Sequence, residues 1–432
     1  MENAQLMEIL LDWNIWRKEI YTGIERTDQL GKIEKLASSE QVTVISGPRR
    51  AGKSTIMLQY LKSLLSKGIK KEQTLFVNFE DSRFINLDVN TLNKLYAIYK
   101  QNINPSSKSY IFLDEVQKVL SWERFVRGLH ERKEANLFVS GSNSQLLSSE
   151  YGTSLTGRHL DLEIYPLSFK EFLSFNSISV ADNLDYVSKR DTLKNLFNEY
   201  LTYGGFPKVV LEKENKKELL KTYFEDILFK DIINKYKVRE SEKLSTLAYY
   251  YLSNISSAHT INSISKFIPL SNDTLDRFSQ YLNQAYLLFF VPKFSTSLKE
   301  QAINAKKVYA IDTGLKNMAG FKHNEDFGKL LENLVFLELK RQKKEIYYWK
   351  DRYDYEVDFV IKQGLKPSNL IQVCWDLSNE KVKQRETRSL ERAMEEYKLN
   401  EGTIITQDYE GEENIGGKKI LYKSAVKWFL GI

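Results

Sequence analysis

Eight consecutive residues, Gly47-Pro48-Arg49-Arg50-Ala51-Gly52-Lys53-Ser54, follow the spacing G-x-x-x-x-G-K-S/T. The pattern suits a bound phosphate chain. Glycines let the backbone wrap close to phosphate oxygens, while successive N–H groups and the start of a following helix supply donors and a positive dipole. Lys53 is placed to reach the β- and γ-phosphates and Ser54 to ligate Mg²⁺, with Thr55 closing the stretch. Further on, Tyr110-Ile111-Phe112-Leu113-Asp114-Glu115 reads as a buried strand that delivers two carboxylates at its C-terminal end, where α/β sheets bind ligands. Asp114 would hold Mg²⁺ through water. Glu115 would orient and deprotonate an attacking water, which is hydrolysis rather than nucleotide binding alone. Ser140, Ser142 and Asn143, at the end of the next strand, are alternatives for a side chain that senses the γ-phosphate. Asn143 joins Glu115, Lys53 and Arg158 as a candidate catalytic residue. Arg158, in Leu155-Thr156-Gly157-Arg158, is either an arginine finger, in cis or toward a neighbouring subunit, or a structural ion pair.

These residues need a scaffold. Between residues 41 and 165 short apolar runs alternate with helical patterns: strands at Val42–Ser46, Thr74–Phe79, Tyr110–Leu113 and Leu137–Ser140, and a helix over Lys53–Ser66. Strands separated by helices predict a parallel sheet with helices on both faces. Residues 1–40 read as a helical segment, with Leu6, Ile9, Leu10, Trp13 and Trp16 at three- and four-residue spacing. Residues 166–240 read as a helical lid or linker broken at Gly204-Gly205-Phe206-Pro207, and 241–320 as helices followed by strands Leu288–Lys293 and Lys307–Ile311. Residues 321–432 read as a second α/β unit: helix Phe327–Arg341, strands Glu345–Trp349, Tyr355–Ile361 and Leu370–Trp375, helix Lys381–Tyr397, strand Gly402–Gln407.

Composition narrows the class. The chain has 432 residues, 42% hydrophobic and 28% charged, which suits several soluble domains and excludes wholesale disorder. One cysteine, Cys374, excludes a disulfide framework and a cysteine zinc cluster and fits a reducing compartment; it reads as a buried, inert thiol in the middle of a strand. Four scattered histidines (His130, His159, His259, His323) argue against a histidine metal site. No apolar run approaches a membrane span, and the acidic start is unlike a signal peptide, so a cytoplasmic protein without a membrane partner is expected. The net charge of +6 permits a nucleic-acid partner without demanding one.

The stretches GPRRAGKST (47–55), IFLDEVQ (111–117), VSGSNSQLLS (139–148), LTGRHLDLEIYPLSFKEF (155–172) and YGGFP (203–207) come in a familiar order. YAIDTGL (309–315), GKLLENLVFLEL (328–339), YEVDFVI (355–361) and IQVCWDLS (371–378) continue it. With them the sequence resembles the AAA+-type ATPases of archaea and bacteria that carry a C-terminal domain of unassigned role. The resemblance implies ATP as the nucleotide, bound with Mg²⁺ on a RecA/AAA-like P-loop NTPase sheet. It also implies a winged-helix segment and a C-terminal α/β domain similar to PD-(D/E)XK (restriction-endonuclease-like) nucleases. The absence of an Asn-Lys-x-Asp run, the usual guanine reader, agrees with adenine.

Ile261–Phe267, the cluster Ser271-Asn272-Asp273-Thr274 and a helix over Leu275–Tyr286 form a helix-turn-helix pattern, with Arg277 the long cation on its second helix. Lys293, Lys299, Lys306 and Lys307 could grip DNA phosphates from the strands after it. In the C-terminal unit Glu332, Glu356 and Asp358 are acids that a divalent metal could use, and Glu356 and Asp358 share a face of one strand. The following strand should then offer acid-x-lysine but offers Gln372-Val373-Cys374, so the nuclease-like domain is expected to be degenerate unless Lys381 or Lys383 moves in. Three outputs compete: an ATPase that moves its C-terminal domains, with DNA as a possible partner; an ATP-gated nuclease; and a slow nucleotide switch that controls protein assembly, homo-oligomers included.

Overall fold

Five short apolar strands make the first sheet: β1 (Val42–Ser46), β2 (Thr74–Asn78), β3 (Ser109–Asp114), β4 (Ala135–Gly141) and β5 (His159–Glu163). All neighbours are parallel, in the order β2-β3-β4-β1-β5. The computed structural model describes residues 1–144, 155, 157–319 and 326–432. Two units divide the chain, Met1–Tyr165 and Pro166–Ile432.

In the first unit, alternation along each strand sends side chains to two separate cores. Val42, Val44, Leu75, Val77, Ile111, Leu113, Leu137 and Val139 pack under α1 (Asn3–Trp13), α4 (Val89–Asn102) and α5 (Trp122–Glu131). Ile45, Phe76, Phe112, Phe138 and Leu162 pack under α2 (Thr27–Ala37) and α3 (Lys53–Ser66), with the Phe112 and Phe138 rings stacked at 4.7 Å. Every residue of β1 is buried, as a strand covered on both faces must be.

Two features depart from the sequence reading. Residues 14–26 are not helical. Asn14 instead docks on the edge strand β2: its amide donates to Phe76 O (2.9 Å) and accepts from Phe76 N (2.7 Å), while Trp16 Nε1 donates to Thr74 O (2.8 Å). An open sheet edge carries unpaired backbone groups, and their demand overrides the helical spacing. The second feature is β5, which the sequence reading did not include. It lies at the other edge, where Leu162 faces a core while His159, Leu160 and Asp161 stay at least partly exposed, so the run is too short and polar to stand out.

In the second unit, helices Phe169–Phe175, α6 (Arg190–Tyr203) and Lys216–Asp226 are followed by a π-helical turn at Ile227–Ile233. Next come α7 (Ser241–Ser253), β6 (Ser257–His259), α8 (Ile261–Ser265), α9 (Asn272–Gln284), β7 (Leu288–Pro292) and β8 (Lys306–Ala310). The three strands form an antiparallel sheet in the order β6-β8-β7. The C-terminal part comprises α10 (Phe327–Arg341), β9 (Glu345–Lys350), β10 (Glu356–Gln363), β11 (Lys366–Val373), α11 (Glu380–Tyr397), β12 (Glu401–Thr406), β13 (Gly411–Ile415) and β14 (Lys418–Ser424). Its sheet runs β13-β14-β12-β11-β10-β9, with β9, β10 and β11 antiparallel and β11, β12 and β14 parallel. The final hairpin was not anticipated, although Gly416 and Gly417, both at positive φ, are its turn.

The two sheets of this unit share one seam. Asn333 of α10 bonds both backbone groups of Ala310 on β8, at 2.7 and 2.9 Å, and Tyr309 stacks on Phe336 at 4.3 Å. The YGGFP and DTGL stretches meet at Asp312, whose buried carboxylate accepts from Gly205 N (2.7 Å), Gly314 N (2.9 Å) and Leu315 N (3.3 Å). No helix among the described residues is long and apolar enough to cross a membrane.

Candidate functional site

The loop after β1 is shaped by residues with unusual backbone angles. Gly47 has φ +144°, and a Cβ there would lie 2.1 Å from Ile164 O, so only glycine fits beside the end of β5. Arg50 (φ 69°) and Gly52 (φ 96°) are left-handed, and α3 begins at Lys53. Alternating hand across such residues turns successive N–H groups inward, which makes an anion cradle. Lys53 is buried with its Nζ 3.0 Å from Gly47 O and 3.1 Å from Pro48 O. Arg49 pairs with Glu80 at 2.7 Å. Arg26, which sequence reasoning missed, is buried beneath the loop and donates to Ala51 O (3.0 Å) and Tyr165 O (3.1 Å). Nothing in its local sequence signals this, because its partners lie 25 and 139 residues away.

Strand order sets the rest. β4 lies between β1 and β3, so its end faces both the loop and the two acids. Ser140 of β4 donates to Asp114 Oδ1 and accepts from Glu115 N at 3.0 Å. The Ser54 hydroxyl, beside the Asp114 carboxylate, helps to hold its pKa down. Burial, reinforced by the neighbouring Glu115, pushes Asp114 up to about 6. Burial pushes Glu115 up as well, but the Lys53 ammonium, 3.5 Å away, and the Gln117 amide at 2.6 Å outweigh it and hold Glu115 below the usual carboxylate range. Glu115 has φ 54°, a left-handed conformation that turns its side chain off the strand toward Lys53.

Gly47 to Ser54, Asp114 and Glu115 thus converge, with Thr55 exposed on the first turn of α3. The Ser54 hydroxyl beside the buried Asp114 carboxylate is an oxygen donor set that fits Mg²⁺. Of the three alternatives on β4, Ser140 is engaged in holding both acids; Ser142 and Asn143 are buried just beyond the strand. Residues 145–154 and Thr156 lie outside the described residues, as do 320–325 with His323 and the expected boundary at 321.

Arg158 is not brought to the loop of its own chain. Its carbonyl accepts from Val42 N, at the start of β1, whereas the loop follows the end of that strand, about 13 Å away at 3.3 Å per residue. Its guanidinium lies 3.3 Å from Glu131. The finger in cis is therefore corrected: β5 runs parallel to β1, and parallel pairing puts the residue before β5 at the far end of the sheet.

Two readings in the second unit also change. Lys307 is 1% exposed and surrounded by carboxylates, so it is no phosphate-gripping lysine. Cys374 lies just past the end of β11 and is half-buried; burial pushes its thiol up to about 12, which keeps it unreactive. Lys383 pairs with Glu413 and Lys381 is exposed, so neither enters the acid cluster. Among the described residues no three His, Cys, Asp or Glu side chains are disposed to hold a metal ion.

Residues 39–173 match the AAA domain family, 194–325 match a domain of unknown function (DUF8612), and 327–424 match another (DUF4143). Sheet, loop and family match together mark residues 39–173 as an AAA-type P-loop domain. The chain belongs to the same family as uncharacterized protein MJ1544 of Methanocaldococcus jannaschii, with 37% identity over 388 residues, 87% of this chain and 84% of that one. An uncharacterized protein of Haemophilus influenzae is 30% identical over 414 residues, covering 94% and 98%. Among solved structures, the Walker-type ATPase PABY2304 of Pyrococcus abyssi aligns with a TM-score of 0.44 at 12% identity, over 71% of this chain and 97% of that one.

Proposed function

We propose that the chain binds ATP on the 47–55 loop and hydrolyses it to ADP and phosphate with Mg²⁺. The observation that carries this reading is the Lys53–Glu115 pair at 3.5 Å beside the Asp114–Ser140 contact, which puts a phosphate-binding cation and a general base at one strand end. Bound phosphates would draw Lys53 from Gly47 O and Pro48 O, releasing Glu115 to face water. Glu115 then takes a proton as the water oxygen attacks the γ-phosphorus and the bond to ADP breaks. Ser54 and Asp114 would hold Mg²⁺, which would supply charge neutralisation on the phosphate oxygens. Asn143 is assigned to the γ-phosphate. Arg158, out of reach of its own loop, is assigned to the site of a neighbouring copy, so turnover requires a homo-oligomer.

The nucleotide cycle is proposed to act on the second unit. The order helix, strand, helix, helix, strand, short helix, strand over residues 241–310 supports a winged helix, with Arg277 exposed on α9. The order helix, three antiparallel strands, helix, parallel strand over 327–406 supports a PD-(D/E)XK-like scaffold, without the acids and lysine of a working centre on β11. The test is phosphate release with Mg²⁺ or with EDTA, with and without duplex or single-stranded DNA, and with Lys53→Ala as blank. The reading expects Mg²⁺-dependent release that Lys53→Ala abolishes. Stimulation by DNA that fades with salt supports DNA as the partner, and indifference to DNA points to a protein partner. Release by Lys53→Ala at the wild-type rate would refute the site.

A further inference from the structure

The nuclease-like resemblance implies a divalent metal among Glu332, Glu356 and Asp358, and the side chains around these acids do not fit one. Lys307 enters from β8, in the other sheet, and its Nζ lies 2.7 Å from Asp358 Oδ1, 2.7 Å from Glu356 Oε1 and 3.0 Å from Glu332 Oε1. The ammonium donates hydrogen bonds to Glu332 and Asp358 and forms an ion pair with Glu356. Those separations are ammonium–oxygen distances, well above the ~2.1 Å of Mg²⁺ and just beyond the ~2.3–2.6 Å of Ca²⁺. Two of the three acids carry a further donor: Tyr309 OH donates to Glu332 Oε1 (2.7 Å) and Val373 N to Asp358 Oδ2 (2.9 Å). On β11, where a nuclease would place its second acid, Gln372 is turned to accept from Asp358 N (3.0 Å) and to donate to Glu386 (2.6 Å). The lysine stem runs beside the Tyr348 ring, with Nζ 5.9 Å from its centroid.

We propose that Lys307 is the resident cation of this centre. Its ammonium stands where a divalent metal would sit, so the three acids pin the β6-β8-β7 sheet to the C-terminal sheet and bind no metal while Lys307 is in place. The inference is independent of the ATPase reading, since nothing at the 47–55 loop enters it.

The test is Mn²⁺ binding to nucleotide-free full-length protein, read by the electron paramagnetic resonance signal of free Mn²⁺, with thermal unfolding in parallel. Wild type and Asp358→Asn should bind the same amount of Mn²⁺, with no site attributable to the acid cluster. Lys307→Met keeps the apolar stem and removes the charge, leaving the buried Glu332 and Asp358 carboxylates and the partly exposed Glu356 facing one another. It should melt lower by roughly 5 °C or more. It should also gain one Mn²⁺ site, with the melting point partly restored by Mn²⁺, and lose both effects in Lys307→Met/Asp358→Asn. A Mn²⁺ site in wild type that Asp358→Asn or Glu356→Gln removes would overturn the proposal, as would a Lys307→Met protein of unchanged melting point that gains no metal. If Lys307→Met does not fold, the comparison of wild type with Asp358→Asn and Glu356→Gln decides alone.

Discussion

Ser140→Ala removes one oxygen from beneath the two acids, and the geometry says what that costs. The hydroxyl donates to the buried Asp114 carboxylate and accepts from the Glu115 N–H. A hydrogen bond to a charged group contributes about 1.5–3 kcal/mol, and a buried N–H left without an acceptor costs about 1–3 kcal/mol. The variant should therefore lose about 3–5 kcal/mol of stability, read as a lower urea midpoint with an unchanged m-value. Turnover should fall by about 100-fold, because Glu115 is no longer held in its left-handed turn. The Ser140 bond also lowers the Asp114 pKa, which lies at about 6. Without it that value climbs, so the acid limb of the Mg²⁺-dependent rate moves to higher pH. Ser142→Ala, as control, should do none of this. A Ser140→Ala protein within about 0.5 kcal/mol of wild type, with its acid limb in place, would refute the reasoning.

Arg158→Ala should bind ATP but lose turnover, and mixing it with Lys53→Ala should restore part of the activity; no recovery would contradict a finger between copies. Gly47→Ala should lose nucleotide affinity and about 2 kcal/mol or more of stability, measured by ligand titration and urea unfolding, because its Cβ would sit 2.1 Å from Ile164 O at positive φ. Burial pushes Asp312 up from 3.8 to about 7, so its contribution to stability is complete below its unfolded value and is lost as pH rises through about 7. The melting temperature should fall between about pH 4 and pH 7, and Asp312→Asn should flatten that slope; a wild-type melting point that rises over this range would contradict it.

Legibility of the sequence followed the range of the interactions. The phosphate loop was visible because its work is done by eight neighbouring residues, and strands β1 and β3 because burial on both faces leaves continuous apolar runs. α3 and α10 begin and end where their periodicity predicts, at Lys53–Ser66 and Phe327–Arg341. Choosing among Ser140, Ser142 and Asn143 was out of reach, since the deciding contacts cross from β4 to Asp114 and Glu115, 26 and 25 residues away. The same holds for Lys307, which reads as a strand lysine near a surface wing until Glu332 and Asp358, 25 and 51 residues further on, fold around it. For Arg158 the sequence left cis, trans and a structural ion pair open, because chain proximity to the core says nothing about which end of a parallel strand a residue occupies. The β13–β14 hairpin did carry a local signal, the Gly416-Gly417 turn between alternating residues.

The most direct test of the central claim is ATP binding and phosphate release measured side by side in wild type and Glu115→Gln. The amide keeps the shape of the side chain but cannot take a proton from water. The account predicts a variant that binds ATP at least as well as wild type and releases phosphate about 100- to 10,000-fold more slowly. A Glu115→Gln protein that turns over at the wild-type rate would contradict it.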